Sequence, residues 1–259
     1  MKGVLYNKVP RDEYSRARGK GRLEVFFNTL LRQDGRIPTL EKALAPYTHE
    51  FEKKPYWEGF VRPHHIIGTI NVDRHYCFSK SYYPLPDFDS GDFAYKWTRV
   101  LSDTSKWLDY PINCYEFLHN YYVKEGNKRV SVSRYLNLPG IKANITRIIP
   151  LNLEREEVRC YHEFLSYERQ TGIGWLWFTY EGAFAELSNL MNKHNLNHQE
   201  LKESVVFPYF KMTGNYSGPH DPLIDYLSDF PGKYASRKYQ EKTFKHVMLM
   251  RKQKQKKNS

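Results

Sequence analysis

Apolar residues fall at helical spacing in some parts of the chain and at strand spacing in others. Tyr14, Ala17, Leu23, Phe26, Phe27, Leu30 and Leu31 make an apolar stripe with Arg and Lys on the other side. That pattern predicts an amphipathic helix over 11–32, closed by Asp34-Gly35. A short helix is predicted from Thr39, which caps it, with Leu40, Ala43 and Leu44 inward. Residues 48–63 are polar, with aromatics and two prolines, and read as irregular. The apolar run through His64-His65-Ile66-Ile67-Gly68-Thr69-Ile70 predicts a strand, then a loop carrying Asp73 and Arg74. Residues 82–86 are extended, because a residue before proline is pushed out of the helical region. A helix over 92–101 puts Phe93, Trp97, Val100 and Leu101 on one face, with Asp92 placed to cap. Strands follow at 113–117, 121–123 and 143–150. Beyond Leu151 the pattern gives helices over 152–171, 182–194, 197–211 and 222–227, a strand over 175–179, and a Gly/Pro-rich loop over 212–222.

The stretch Tyr121 to Val132 stands out from this background. An aromatic and β-branched strand runs into Lys124-Glu125-Gly126-Asn127-Lys128-Arg129, and the helical rhythm resumes at Val130, Val132 and Tyr135. A glycine at that junction permits a positive φ or a close backbone approach. The helix start then combines free backbone N–H groups, the positive end of a dipole and two cationic side chains. That combination suits an anion or phosphate. The same residues also describe a strand-to-helix turn with a solvated Lys-Arg pair, so the stretch alone decides nothing.

Charge adds less than its total suggests. The chain of 259 residues has a formal net charge of +11. Residues 233–259 carry ten Lys/Arg against Glu241, and residues 1–36 carry nine against four acidic residues, so residues 37–232 are at −3. Basic ends support a nucleic-acid footprint less directly than a basic face would. Cys77, Cys114 and Cys160 are isolated, without zinc spacing, as in a reduced cytoplasmic protein. No apolar run reaches the length of a membrane span, and no signal peptide is expected at the N-terminus.

Other constellations read plainly. His64 and His65, adjacent on a strand, would point to opposite faces and so would not join Asp73 and His75 as metal ligands. Asp87, Asp89 and Asp92 lack the Gly and terminal Glu of a calcium loop. Trp97, Trp107, Trp175 and Trp177 could stack bases, but Trp97 lies on a core-facing stripe.

The order of elements resembles the N-terminal domain of the ParB/sulfiredoxin superfamily, and within it a group of uncharacterised bacterial ParB-like proteins. The residues carrying the resemblance are Gly68-Thr69, Arg74, Phe78, Pro84-Leu85, Phe93 to Trp97, Pro111-Ile112, Val123 to Val132, Thr146 to Pro150, and Phe178-Thr179 with Gly182. It implies an α+β fold: a small mixed sheet carrying a phosphate-binding helix, with N-terminal helices and a helical C-terminal extension. The implied boundaries are an N-terminal helical arm over 1–60, the ParB-like domain over 61–150, a mainly helical extension over 151–232, and a basic tail over 233–259, disordered at its end. By the same resemblance Gly126, Asn127, Lys128 and Arg129 cradle phosphates, with Arg129 the main charge partner. Ser131 adds a hydroxyl, Arg74 a second cation, and Glu125 a general base or Mg²⁺ ligand. The implied ligand is an NTP, CTP or ATP, with Mg²⁺. Asn127 stands where a sulfiredoxin needs Cys, which excludes that reductase. Residues 151–230 offer no helix-turn-helix of the kind a partition protein carries. Three readings follow: a nucleotide-binding regulator or NTPase, a nucleic-acid-binding regulator, with DNA among its partners, using Lys128, Arg129 and the basic ends, and a small-molecule kinase with Glu125 as base. Oligomeric state is not legible.

Overall fold

The strand of the glycine stretch lies inside a five-stranded mixed sheet in a computed structural model of the chain, which describes residues 10–47, 50–87, 92–214, 218–232 and 235–257. The chain divides into two compact units, Met1–Leu151 and Asn152–Ser259. Among the described residues no helix is long and apolar enough to cross a membrane.

The first unit opens with helices α1 (Pro10–Leu30) and α2 (Leu40–Leu44). Thr39 caps α2 by accepting from the Lys42 N–H at 3.3 Å. Strands β1 (Phe51–Val61) and β2 (Ile66–Thr69) follow, then the one-turn helix α3 (Val72–His75), α4 (Asp92–Ser102) and α5 (Thr104–Trp107). The chain then runs through β3 (Ile112–Phe117), β4 (Asn120–Glu125), α6 (Asn127–Tyr135) and β5 (Ile141–Pro150). The sheet order is β1-β5-β3-β4-β2. Pairs β1/β5 and β3/β4 are antiparallel; β5/β3 and β4/β2 are parallel.

Side chains alternate across the pleat and feed two cores. One joins Ile112, Cys114, Val123, Ile141, Ala143 and Ile145 of the sheet to Trp97 and Leu101 of α4, Val130 and Val132 of α6, and Tyr14 and Ala17 of α1. The other packs Leu40 and half-buried Ala43 and Leu44 of the α2 segment over Phe117, Tyr122 and Ile148. Gly68 lets β2 approach closely, since a Cβ there would meet the Pro38 carbonyl oxygen at 2.4 Å. The first core also holds a buried ion pair, Arg147 Nε to Glu116 Oε2 at 2.7 Å. The Arg147 guanidinium lies 3.4 Å from the Tyr56 ring centroid, and the Glu116 carboxylate also accepts from the His119 N–H.

Three expectations about residues 1–61 fail. Residues 51–61 form a strand, not an irregular segment. Edge position explains why the pattern misled: Pro55 needs no ladder partner there, a bulge falls at Pro55/Trp57, and most residues are exposed, so no alternation marks them. For the same reason residues 1–60 are not a separate helical arm, since β1 is part of the sheet. The apolar residues of α1 also do not share one face. Tyr14, Ala17 and Gly21 are buried, while Leu23, Phe26, Phe27, Leu30 and Leu31 are 57–69% exposed.

The second unit is helical: α7 (Glu156–Thr171), α8 (Ala183–Lys193), α9 (His198–Glu200) continuing through a π turn into α10 (Phe207–Thr213), α11 (Asp221–Ser228) and α12 (Arg237–Lys257). The strand expected at 175–179 is absent. The backbone of Trp177 bonds instead to His220, and Thr179 bonds to the Asp221 carboxylate through its N–H and hydroxyl. The tail expected to end in disorder is helical to Lys257, docked by Gln240, Phe244 and Val247; residues 258–259 lie outside the described residues.

His220 yields a prediction. It is fully buried, with Tyr209 and Phe210 rings beside it, and burial pulls its pKa down to about 4, partly offset by its Trp177 bond and by Asp221. The imidazole is therefore neutral in the folded unit, whereas in the unfolded chain it binds a proton below about pH 6.5. Its contribution is constant above pH 6.5 and is lost as the pH falls from there towards 4, by roughly 3 kcal/mol in full. Urea unfolding at stepped pH should show this slope, and His220→Gln should flatten it. An unchanged slope in the variant would exclude His220 as the cause.

Candidate anion-binding site

The turn after β4 is built by exclusion. Gly126 has φ +106°, and a Cβ on it would stand 2.4 Å from Cγ2 of Ile112, which is fully buried. Only glycine meets both conditions. The first backbone bond of α6 is Val130 N–H to the Gly126 carbonyl, at 3.1 Å. The N–H groups of Asn127, Lys128 and Arg129 precede it, and no N-cap side chain bonds the first turn. Asn127 is buried, and its Oδ1 lies 3.3 Å from the Tyr82 hydroxyl, which also reaches the Gly68 carbonyl. Tyr82 is fully buried with φ +62°, and burial keeps its phenol protonated. The turn is thus tied to β2 through one aromatic ring.

Cationic side chains gather beside it. The Lys128 ammonium sits 4.4 Å from the Phe93 ring centroid and is half-buried. Burial holds its pKa below the usual lysine range, and the positive charges of Arg74 and Lys96 add to that, against weaker opposition from Cys77 and Asp92. Asp92 pairs with Lys96 one turn along α4. Arg74 of α3 and Lys96 of α4 thus both act on Lys128 at the start of α6, the Lys96 charge being shared with Asp92.

The other expected residues divide. Arg129 turns back against Gly126 and donates from Nη1 to the carbonyls of Tyr110 at 2.7 Å and Pro111 at 3.4 Å. Burial lowers its pKa and the Glu125 charge opposes the shift. Part of its donor set therefore fastens the loop before β3. Glu125 is exposed at the end of β4 and accepts from Asn113 Nδ2 at 3.2 Å. Ser131 is a correction: it is fully buried and accepts from Trp97 Nε1 at 2.9 Å, so it faces the core and offers no hydroxyl to a ligand. Helix α6 is covered on several sides, with Val130, Ser131, Val132 and Ser133 all buried. Sequence reasoning missed Lys96, Phe93 and Tyr82 as site residues. The first two entered only as positions of the 92–101 helix and of the Phe93 to Trp97 run of the resemblance, and nothing local signals Tyr82.

The remaining candidates carry no such arrangement. His64 and His65 lie in a short 3-10 turn, Pro63–His65, not on a strand. Burial lowers both pKa values, that of His65 to about 4. His75 approaches the Ile37 carbonyl through Nδ1 and Asp34 through Nε2. Asp89, of the acidic run without a calcium pattern, lies outside the described residues. Among the described residues no group of three or more His, Cys, Asp and Glu is arranged to hold a metal ion. Burial raises the Cys114 thiol to about 12 and the Cys160 thiol to about 11, which disfavours a thiolate at either. Comparison with protein-family models, curated proteins and solved structures finds no match to this chain.

Proposed function

We propose that the first unit binds a nucleotide or related phosphate-bearing anion at the start of α6, as a ParB-like nucleotide-binding protein. The observation that carries this reading is the half-buried Lys128, set over the Phe93 ring at an uncapped helix start and under the positive charges of Arg74 and Lys96. Gathering like charges costs stability, and a bound polyanion would relieve that repulsion. The backbone N–H groups of Asn127 and Lys128 would take phosphate oxygens, and Lys128 and Arg74 would neutralise them. Arg129 would position the turn and the Tyr110–Pro111 loop as well as add charge. The sheet with α6 after β4 is compatible with the ParB/sulfiredoxin-like arrangement, and membership of that superfamily is part of the proposal. Mg²⁺ would be held chiefly by the phosphates, with Glu125 as the carboxylate of the turn. Glu125 is also the residue that would distinguish an NTPase or kinase from a binder, through loss of turnover with retained binding in Glu125→Gln.

A second reading has its own support. The basic tail is an ordered helix with Lys238, Lys242, Lys245, Lys252 and Lys256 exposed, which suits the phosphate backbone of DNA.

Titration calorimetry with ATP, CTP, GTP and UTP, with and without Mg²⁺, tests the first reading. Lys128→Ala is expected to weaken binding by about 10- to 100-fold, the worth of a charge-assisted contact. No heat with any nucleotide at millimolar concentration would remove the proposal. If binding is instead to DNA, is salt-sensitive and is lost in Lys242→Glu/Lys245→Glu but kept in Lys128→Ala, the second reading stands.

A further inference from the structure

α1 is a helix with two working faces. At 100° per residue, Tyr14, Ala17, Gly21 and Val25 fall on one side, and Leu23, Phe26, Phe27 and Leu30, with Leu31 just past the helix end, fall opposite. The first side is anchored. Tyr14 donates to the Pro86 carbonyl at 2.7 Å, Gly21 lies against the Pro84 carbonyl, and Glu24, on the same flank, accepts from the N–H and hydroxyl of Ser81. The opposite side holds five large apolar side chains, each 57–69% exposed, with the Phe26 and Phe27 rings packed edge to face at 5.7 Å. Scattered exposed leucines need no explanation, but five large apolar residues in three turns on one face do.

We infer that this face pairs with the same face of a second copy of the chain, α1 against α1. The spacing i, i+3, i+4, i+7, i+8 is that of a helix–helix seam, which two identical helices satisfy together across a two-fold axis. Taking roughly 200 Å² for each large side chain, the stripe presents about 600 Å² per copy. Two copies bury about 1,200 Å², at the lower bound for a stable specific interface. Charge disfavours a lipid surface. An interfacial helix carries Lys and Arg along its polar face, whereas residues 23–31 contain none. Of the nearest cations on α1, Arg18 and Arg22 are held by Asp87, and Lys20 lies over the Tyr83 and Tyr135 rings. The inference is independent of the anion site.

Sedimentation velocity of the full chain over a concentration series tests it. The expected result is a species of twice the 30.9 kDa chain mass that shifts to the single mass in Phe27→Glu/Leu30→Glu. Because both side chains are exposed in the single chain, the variant should keep the wild-type circular dichroism spectrum, and its melting temperature should match that of the wild type at dilutions where the wild type is monomeric. The milder Phe26→Ser/Leu30→Ser should show an intermediate dissociation. A chain that is monomeric at every concentration overturns the inference, as does a dimer that survives the double substitution. A monomer that co-sediments with phosphatidylcholine/phosphatidylserine vesicles through these residues overturns it in favour of a membrane surface.

Discussion

Gly126→Ala is expected to destabilise the first unit by about 3 kcal/mol and to abolish anion binding. Two costs combine. An alanine at φ +106° pays about 1–2 kcal/mol for a left-handed backbone. Its Cβ would also stand 2.4 Å from Ile112 Cγ2 and 3.0 Å from Ile112 Cβ, and overpacking of that kind costs about 1–3 kcal/mol. Ile112 is fully buried at the start of β3, so the turn must shift. Any shift moves the Asn127 and Lys128 N–H groups and the Arg129 guanidinium, which lies 3.2 Å from where the alanine methyl would stand. The melting temperature should fall by on the order of 10 °C. Gly126→Asn separates the two costs, because asparagine tolerates the left-handed region but brings the same Cβ. It should therefore recover only part of the loss. Ile112→Ala removes the obstructing methyl, so the double variant should show a favourable coupling of about 1 kcal/mol or more in a mutant cycle. A Gly126→Ala protein that melts within a degree of wild type would refute this account of the turn.

Arg147→Met is expected to cost about 3–5 kcal/mol, the largest loss from any substitution outside the turn. The pair it breaks is buried on both sides, with side-chain exposures of 8% for Arg147 and 2% for Glu116. Methionine keeps much of the volume and the contact with Tyr56, so the loss isolates the charge. The carboxylate of Glu116 keeps its bond from the His119 N–H but loses the Arg147 guanidinium. The deficit should narrow towards acid pH, where the Glu116 carboxyl can take a proton. Glu116→Gln/Arg147→Met should restore most of the stability, since it removes both charges. Urea denaturation of Arg147→Met, Glu116→Gln and the double variant measures this. If the single and double variants are equally unstable, the loss comes from packing and not from a stranded charge.

The site was partly legible. A glycine between a β-branched strand and a helical rhythm forces a turn there, and Gly126 does open α6 with a positive φ. Lys128 could be named from sequence because it follows that glycine. Arg74 was named with it through the resemblance, but Lys96 and Phe93 were not named as site residues. Arg74, Lys96 and Phe93 come from α3 and α4, brought to the turn by the packing of α4 and α6 on one core. Ser131 shows the converse: a hydroxyl two residues beyond Arg129 looked available, but helical rotation places it under Trp97.

Local pattern by itself determined where most helices and the inner strands lie, because each has to bury a face with its own period. It did not determine β1, whose edge position leaves both faces exposed, nor the segment at 175–179, whose backbone groups find partners in His220 and Asp221 and not in a sheet. Nor could it tell that the apolar stripe of α1 is turned outward. Periodicity reports that a face is apolar; only the packing of Tyr14, Ala17 and Gly21 against the rest of the unit decides which face is covered.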